Sequence, residues 1–134
     1  MASILIDSDV LIDFIRSIPN AVTHIQQLQA NNDVLCTCDI VIAEVESGLS
    51  LAQSIAAQPF IDDLVLLGRD ASAARQAGRW RYEYARKGIS LGLSDVMIAA
   101  TAHANHAGLL TRNLSHYPMR ELTIVRGPSN QPRQ

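Results

Sequence analysis

The sequence predicts an α/β domain, a parallel sheet covered by helices on both faces in three layers. Three observations carry that expectation. Short apolar runs without polar alternation recur along the chain, as strands buried on both faces require. Longer stretches with helical periodicity and cap residues lie between them. Runs and helices alternate from one end to the other, the pattern of a parallel sheet.

Ser3-Ile4-Leu5-Ile6 is the first strand. Asp7-Ser8-Asp9 breaks it, and residues 10–16 turn helical, with Ser8 as cap and Asp9 as a first-turn acid. Pro19 and Asn20 open a second helix to about Asn31. Residues 33–37 form the second strand, and Asp39 caps a long helix over about 40–57, which Pro59 ends. Leu64-Val65-Leu66-Leu67 is the third strand. Asp70 caps a basic helix ending near Lys87-Gly88, and Ser94 caps one running to about Ala107. Residues 109–111 and 122–125 are the fourth and fifth strands. The domain therefore spans 1–126, and the Pro-, Gln- and Ser-rich tail 127–134 is expected to be disordered.

At 134 residues, 48% apolar and 18% charged, the chain is one domain with a real core. No apolar run approaches the ~20 residues of a membrane-spanning helix. A short strand follows Met1 at once, so a soluble, cytoplasmic protein without a signal peptide is expected. Cys36 and Cys38 read as two core thiols, since a C-x-C pair makes a poor disulfide and half a zinc site. The net charge of −2 excludes a general polycation, but it hides a division. Residues 1–67 hold one base (Arg16) and nine acids, whereas 68–134 hold ten bases and four acids. A local nucleic-acid site remains open.

Three acids stand out. Asp7 directly follows a buried strand. Glu44 borders, beside Ile55, the apolar stripe formed by Val41, Val45, Gly48, Leu49, Ala52 and Ile55. Asp95 begins a face that continues through Ile98, Ala99 and Ala102. Each has an ordinary alternative: a turn or cap for Asp7, a boundary position for Glu44, a dipole-favoured first-turn acid for Asp95. Together they can converge at the carboxyl end of the sheet, where α/β folds bind ligands. Carboxylates gathered there need a cation, and an all-oxygen set suits Mg²⁺ or Mn²⁺. Such ions activate water against a phosphodiester. His103 and His106 lie roughly 12 and 16 Å along their helix from Asp95 and do not join this set. His24 reads as helix surface.

The helix over 70–87 is the second feature. Arg75, Arg79, Arg81, Arg86 and Lys87 alternate with Trp80, Tyr82 and Tyr84. Arginine holds phosphate and aromatics stack on unpaired bases, so this face suits RNA. It equally suits an acidic protein segment, or a solvated basic face with its aromatics in the core.

With these residues in view, the chain resembles the PIN-domain ribonucleases, specifically the VapC-type toxins of toxin–antitoxin pairs. Ile4-Leu5-Ile6-Asp7-Ser8-Asp9-Val10-Leu11-Ile12-Asp13 is similar to their opening motif, and Ile42-Ala43-Glu44-Val45-Glu46-Ser47-Gly48 to their second. The stretch from Gly92 through Leu93-Ser94-Asp95 to Ala102 resembles the third, and Leu109-Leu110-Thr111-Arg112-Asn113 the fourth. The resemblance implies a five-stranded parallel sheet, a homodimer, and Mg²⁺- or Mn²⁺-dependent RNA cleavage. It also implies a small cognate antitoxin that occupies the active-site groove and carries a DNA-binding part. Asp7, Glu44 and Asp95 fall on the family's metal-binding acids. At the fourth position, where many relatives carry an acid, this chain has Asn113 and, three residues on, His116. Asn113 is the catalytic candidate there, as holder of a metal-bound water. Arg112, Arg79, Arg81, Arg86 and Lys87 are the candidates for binding RNA or antitoxin.

Two other functions compete. A PIN-like fold without useful catalysis would act by binding RNA or a partner. A haloacid-dehalogenase-type phosphohydrolase would use Asp7-Ser8-Asp9 as its Asp-x-Asp motif, with Lys87 as the only lysine available.

Overall fold

The computed structural model describes residues 1–126; the tail expected to be disordered lies outside the described residues. Four strands form one sheet: β1 (Ser3–Ile6), β2 (Val34–Thr37), β3 (Val65–Leu66) and β4 (Gly108–Leu110). Their order is β3-β2-β1-β4 and every pairing is parallel, with Ile4 opposite both Leu35 and Gly108. Ile4, Leu5 and Ile6 are consecutive and all buried, as are Leu109 and Leu110. Consecutive burial requires cover on both faces, which the helices supply.

The helices are α1 (Ser8–Ile15), α2 (Pro19–Ala30), α3 (Asp39–Gly48), α4 (Leu51–Asp62), α5 (Ala71–Arg86) and α6 (Leu93–Ala104). Small buried side chains, Ala99, Ala100 and Ala102 on α6 and Ala73 and Ala77 on α5, suit the close packing of these two helices.

Several expectations are corrected. The fifth strand shrinks to a single bridge, Ile124 beside Leu109. Leu109 N–H donates to Thr123 O and Val125 N–H to Leu109 O, and the ladder goes no further. With β4 only three residues long and a turn just before Leu122, the pairing has no room to extend. The long helix over 40–57 is two helices. Leu49 is extended, and Ser50 with Gln53 forms a reciprocal capping box that starts α4. Pro59 sits inside α4 and does not end it. A Cβ on Gly48, at the end of α3, would lie 2.8 Å from Ile12 Cδ1, so glycine lets α3 approach α1 closely. His24 is buried, in the same stripe as Ala21, Ile25 and Leu28.

β1 runs to β2 and β3 on one side, while β4 lies on the other. The strand order therefore reverses between β1 and β4, the crevice where such sheets bind ligands. Asp7 follows β1 there and Thr111 follows β4.

Candidate active site

Asp7 does two jobs. Its Oδ1 accepts from Ser8 N–H at 2.8 Å and so caps α1, leaving Ser8 as the first helical residue and not the cap. Its Oδ2 points across the crevice and accepts from Thr111 Oγ1 at 2.8 Å and Tyr117 OH at 2.9 Å. Ser8, relieved of capping, donates its hydroxyl to Glu44 Oε1 at 2.9 Å. That contact fastens α3 to the start of α1 and brings the second acid to the site, half-buried as its position beside the stripe suggests.

Asp95 arrives from α6. The helix starts at Leu93 after Gly92, so Ser94 is not its cap and Asp95 sits in its first turn. A Cβ on Gly92 would lie 3.2 Å from Asp95 Oδ2, so glycine keeps that carboxylate clear. Tyr117 OH lies 3.3 Å from Asp95 Oδ1, and the same hydroxyl thus spans Asp7 and Asp95. His116 Nδ1 stands 3.3 Å from Asp95 Oδ2. A short 3-10 turn, Leu114–His116, delivers both His116 and Tyr117.

The charges of these acids act on one another. Burial pushes the Asp7 carboxyl up, assisted by the charge of Glu44 and opposed by the hydrogen bonds of Thr111 and Tyr117. Burial also raises Asp95; His116 opposes that shift, and the charges of Asp7 and Glu44 add to it. Asp9 is pushed up to about 6 by burial and by the charge of Asp7. Tyr117 is raised by burial and then by Asp7 and Asp95, so its proton stays between them. Glu44 thus bears on both Asp7 and Asp95, and Asp7 on Asp95, a like-charge arrangement that suits a cation. Among the described residues, no three His, Cys, Asp or Glu side chains stand together as a ready ion cage. Here the Tyr117 hydroxyl bridges Asp7 and Asp95, and His116 stands beside Asp95.

The fourth-motif residues divide. The backbone N–H of Asn113 donates to Thr111 Oγ1 at 3.1 Å, and its side chain is exposed, joining none of the three acids by a described hydrogen bond. Arg112 Nε pairs with Asp13 Oδ2 at 2.8 Å, and its N–H donates to Asp9 Oδ2 at 3.0 Å. Tyr117 is the residue that sequence reasoning missed.

The basic helix is less free than its composition suggests. Trp80 is buried with its indole N–H donating to Glu121 Oε2, and Tyr84 OH donates to Pro118 O. Only Tyr82 of the three aromatics is exposed, and Arg79 and Arg86 lie over its ring at 4.8 and 4.6 Å from the centroid. Arg81 Nε donates to Leu91 O, and Lys87 lies over Tyr84. Tyr84 and Arg81 thus hold the end of α5 against Pro118 and Leu91, close in sequence to Tyr117 and Asp95.

The profile of the PIN domain family matches residues 4–120. Ribonuclease VapC19 of Mycobacterium tuberculosis is 30% identical over 115 residues, covering 86% of this chain and 92% of that protein. A DNA-bound VapBC from Salmonella typhimurium superposes with a TM-score of 0.78 at 28% identity, over 93% of this chain and 98% of that one. VapBC2 from Rickettsia felis, bound to a promoter DNA fragment, gives a TM-score of 0.79 over 92% and 97% of the two chains. At its 22% identity that likeness speaks for the fold alone.

Proposed function

From the premise that this chain belongs to the PIN-domain family and to its VapC-type ribonucleases, we propose that it is the endoribonuclease toxin of a toxin–antitoxin pair. One observation carries the reading: a single tyrosine hydroxyl spans Asp7 and Asp95 at the strand-order reversal, with Glu44 tied beside them through Ser8. The donors are all oxygens of mutually repelling acids, a set that fits Mg²⁺ or Mn²⁺.

Asp7 and Asp95 would hold the ion, with Glu44 as a further ligand or as the group that orients the attacking water. When bound, the ion supplies water activation and neutralises charge developing on the phosphodiester. Thr111 keeps Asp7 pointed into the crevice. Arg112 stands at the crevice rim, and the exposed cations of α5 hold phosphates further out. The N-termini of α1 and α6 favour the anionic backbone. Asn113, exposed beside Thr111, would hold a water, a lesser role than an acid would have there. Partners on this reading are a small DNA-binding antitoxin of VapB type and a second copy of this chain.

The test is cleavage of RNA by purified protein with Mg²⁺ or Mn²⁺, beside Asp7→Asn and Asp95→Asn. Turnover by the wild type alone is expected. Equal cleavage by all three proteins would assign the activity to a contaminant. Binding without metal-dependent turnover would favour the catalytically silent module instead. The phosphohydrolase reading loses support, because Asp9, its second motif acid, is occupied by the N–H groups of Val10 and Arg112.

A further inference from the structure

Beside Thr111 lies a pocket of about 390 Å³ between α1, α2 and the end of β4, with Asp95 not among its lining residues. Its size falls in the range of small-ligand sites, roughly 300–1,000 Å³. Ile18, Ala21 and Leu110 supply apolar wall, while Asn20, His24 and Arg112 supply polar edge. Thr111 belongs to both places: it lines this pocket, and its hydroxyl donates to Asp7. Pocket and acid cluster are therefore neighbours across one side chain.

His24 is the unusual member. It is 3% exposed, and its Nε2 has no hydrogen-bond partner among the described residues. Buried polar atoms without partners are rare and call for an explanation. Burial lowers the ring's affinity for a proton, and a hydrogen bond to the Arg126 backbone works the other way. A bond that favours the protonated ring is one donated to a carbonyl, so the ring's own N–H is used there. Nε2 is left as an unpartnered, buried acceptor on a residue that lines the pocket.

We propose that this pocket is a subsite for one unpaired nucleobase of the substrate RNA, with His24 accepting an N–H from the base edge. The inference rests on the ribonuclease reading above. An apolar slot with a few polar edge groups matches a base, which has two apolar faces and a rim of donors and acceptors. Arg112 at the mouth supplies donors for a base carbonyl or ring nitrogen, and its guanidinium is already oriented by Asp13. A phosphate alone would gain nothing from the apolar walls or from an acceptor nitrogen. A base here would flank the phosphate held at Asp7 and Asp95, and would set which sequences are cut.

The test separates this inference from the one it rests on. Randomised single-stranded RNA is partitioned on metal-free protein and the retained RNA is sequenced; cleavage with Mn²⁺ is measured separately. The variants are His24→Leu, which removes the acceptor, and Asn20→Trp, a substitution at an exposed residue that obstructs the mouth without touching the core. Wild type should enrich one base class at a fixed unpaired position, and both variants should reduce that enrichment about tenfold. Variants that keep the enrichment, or a wild type that shows none, overturn the subsite whether or not RNA is cut. Enrichment without any cleavage defeats the ribonuclease reading and leaves the subsite standing. Variants that keep the enrichment but no longer co-purify with the product of the neighbouring upstream reading frame assign the pocket to a protein partner.

Discussion

The carboxyl end of β1 and the surface of α5 hold the two charge concentrations of this chain, and they are built oppositely. At β1 the acids come from distant parts of the sequence and share their partners: Asp7 and Asp95 meet on one hydroxyl, and Glu44 meets α1 through Ser8. On α5 the cations are near neighbours and are largely satisfied on the helix itself or at its end. Arg79 and Arg86 sit over Tyr82, Lys87 over Tyr84, and Arg81 on Leu91 O. Repulsion among the acids is only partly offset within the protein, by Thr111, Tyr117 and His116, and so suits a cationic ligand. Exposed cations already stacked on their own aromatics specify little, and act through summed field. Chemistry should therefore be concentrated at β1 and binding spread over α5.

The largest expected effects break one end of that contrast. Asp7→Asn and Asp95→Asn should each lower metal-dependent RNA cleavage by about 10²–10³-fold or more, the scale of losing a preorganised charge at the reacting centre. Circular dichroism of both variants should stay folded. An α5 variant, Arg79→Gln with Arg81→Gln, that lost as much at saturating RNA would erase the distinction. Next in size is Trp80→Ala, which should cost about 3–5 kcal/mol in urea unfolding, because the ring is core and not a base platform. A variant as stable as wild type, with weakened RNA binding, would return Trp80 to the substrate face. Tyr117→Phe should cost about 1–3 kcal/mol, because buried Asp7 and half-buried Asp95 then lose a shared donor. The same change should strengthen Mn²⁺ binding by calorimetry, since the ion no longer competes with that proton.

How much of this was legible in the sequence depends on how local the signal is. Unbroken apolar runs mark β1 and β4, and acids directly beyond buried positions mark Asp7 and Asp95. The break between α3 and α4 was also written locally, as Ser50 followed three residues later by Gln53 after Gly48. His24 was misread as surface, although Ala21, Ile25 and Leu28 put it in an i, i+3, i+4, i+7 stripe that the sequence does show. Tyr117 was not legible. It lies 110 residues from Asp7 and 22 from Asp95, in a loop without periodicity, and only the tertiary fold brings its hydroxyl to both. The aromatics of α5 left two readings open because helical interleaving with arginine looks the same whether a ring faces the core or the solvent. The fifth strand failed for want of length in its neighbour, a property of the pairing and not of residues 122–125.

A smaller effect sharpens the acid side through pH. Asp7, Asp9 and Asp95 all have raised values in the folded protein, Asp9 to about 6. An acid raised on folding binds its proton better folded than unfolded. Its contribution is therefore fully present below the unfolded value near 4, and is lost as pH rises through the folded value. Asp39 and Glu121 are lowered, by Arg69 and by backbone and Trp80 hydrogen bonds respectively, so their contributions are lost only in acid below about 4. Between pH 5 and 7.5 these acids should thus lower the Tm of the metal-free protein by about 3–8 °C in scanning calorimetry, offset in part by His24, whose proton affinity burial lowers and which therefore adds stability as pH rises through its unfolded value near 6.5. Adding Mn²⁺ should recover more of this at pH 7.5 than at pH 5, where protons compete. Equal recovery at both values would mean that the ion binds elsewhere.

The smallest effect tests the basic side. If α5 acts through summed charge, RNA binding weakens with salt, and each cation in contact with a phosphate contributes a slope of about 0.7 in log–log form for single strands. Arg79→Gln with Arg81→Gln should then weaken binding a few-fold at low salt and make the slope shallower by about one. Arg81→Gln alone should also lower Tm slightly, because its Nε holds Leu91 O, whereas Arg79→Gln loses only its stacking on Tyr82. Arg16→Gln is the control. Its guanidinium donates to Gly48 O on the acidic half of the chain, so its loss should leave the slope unchanged. A slope that responds to Arg16 as strongly as to the α5 pair would place the RNA path across α1 and α3 instead, and would end the division of labour between the two regions.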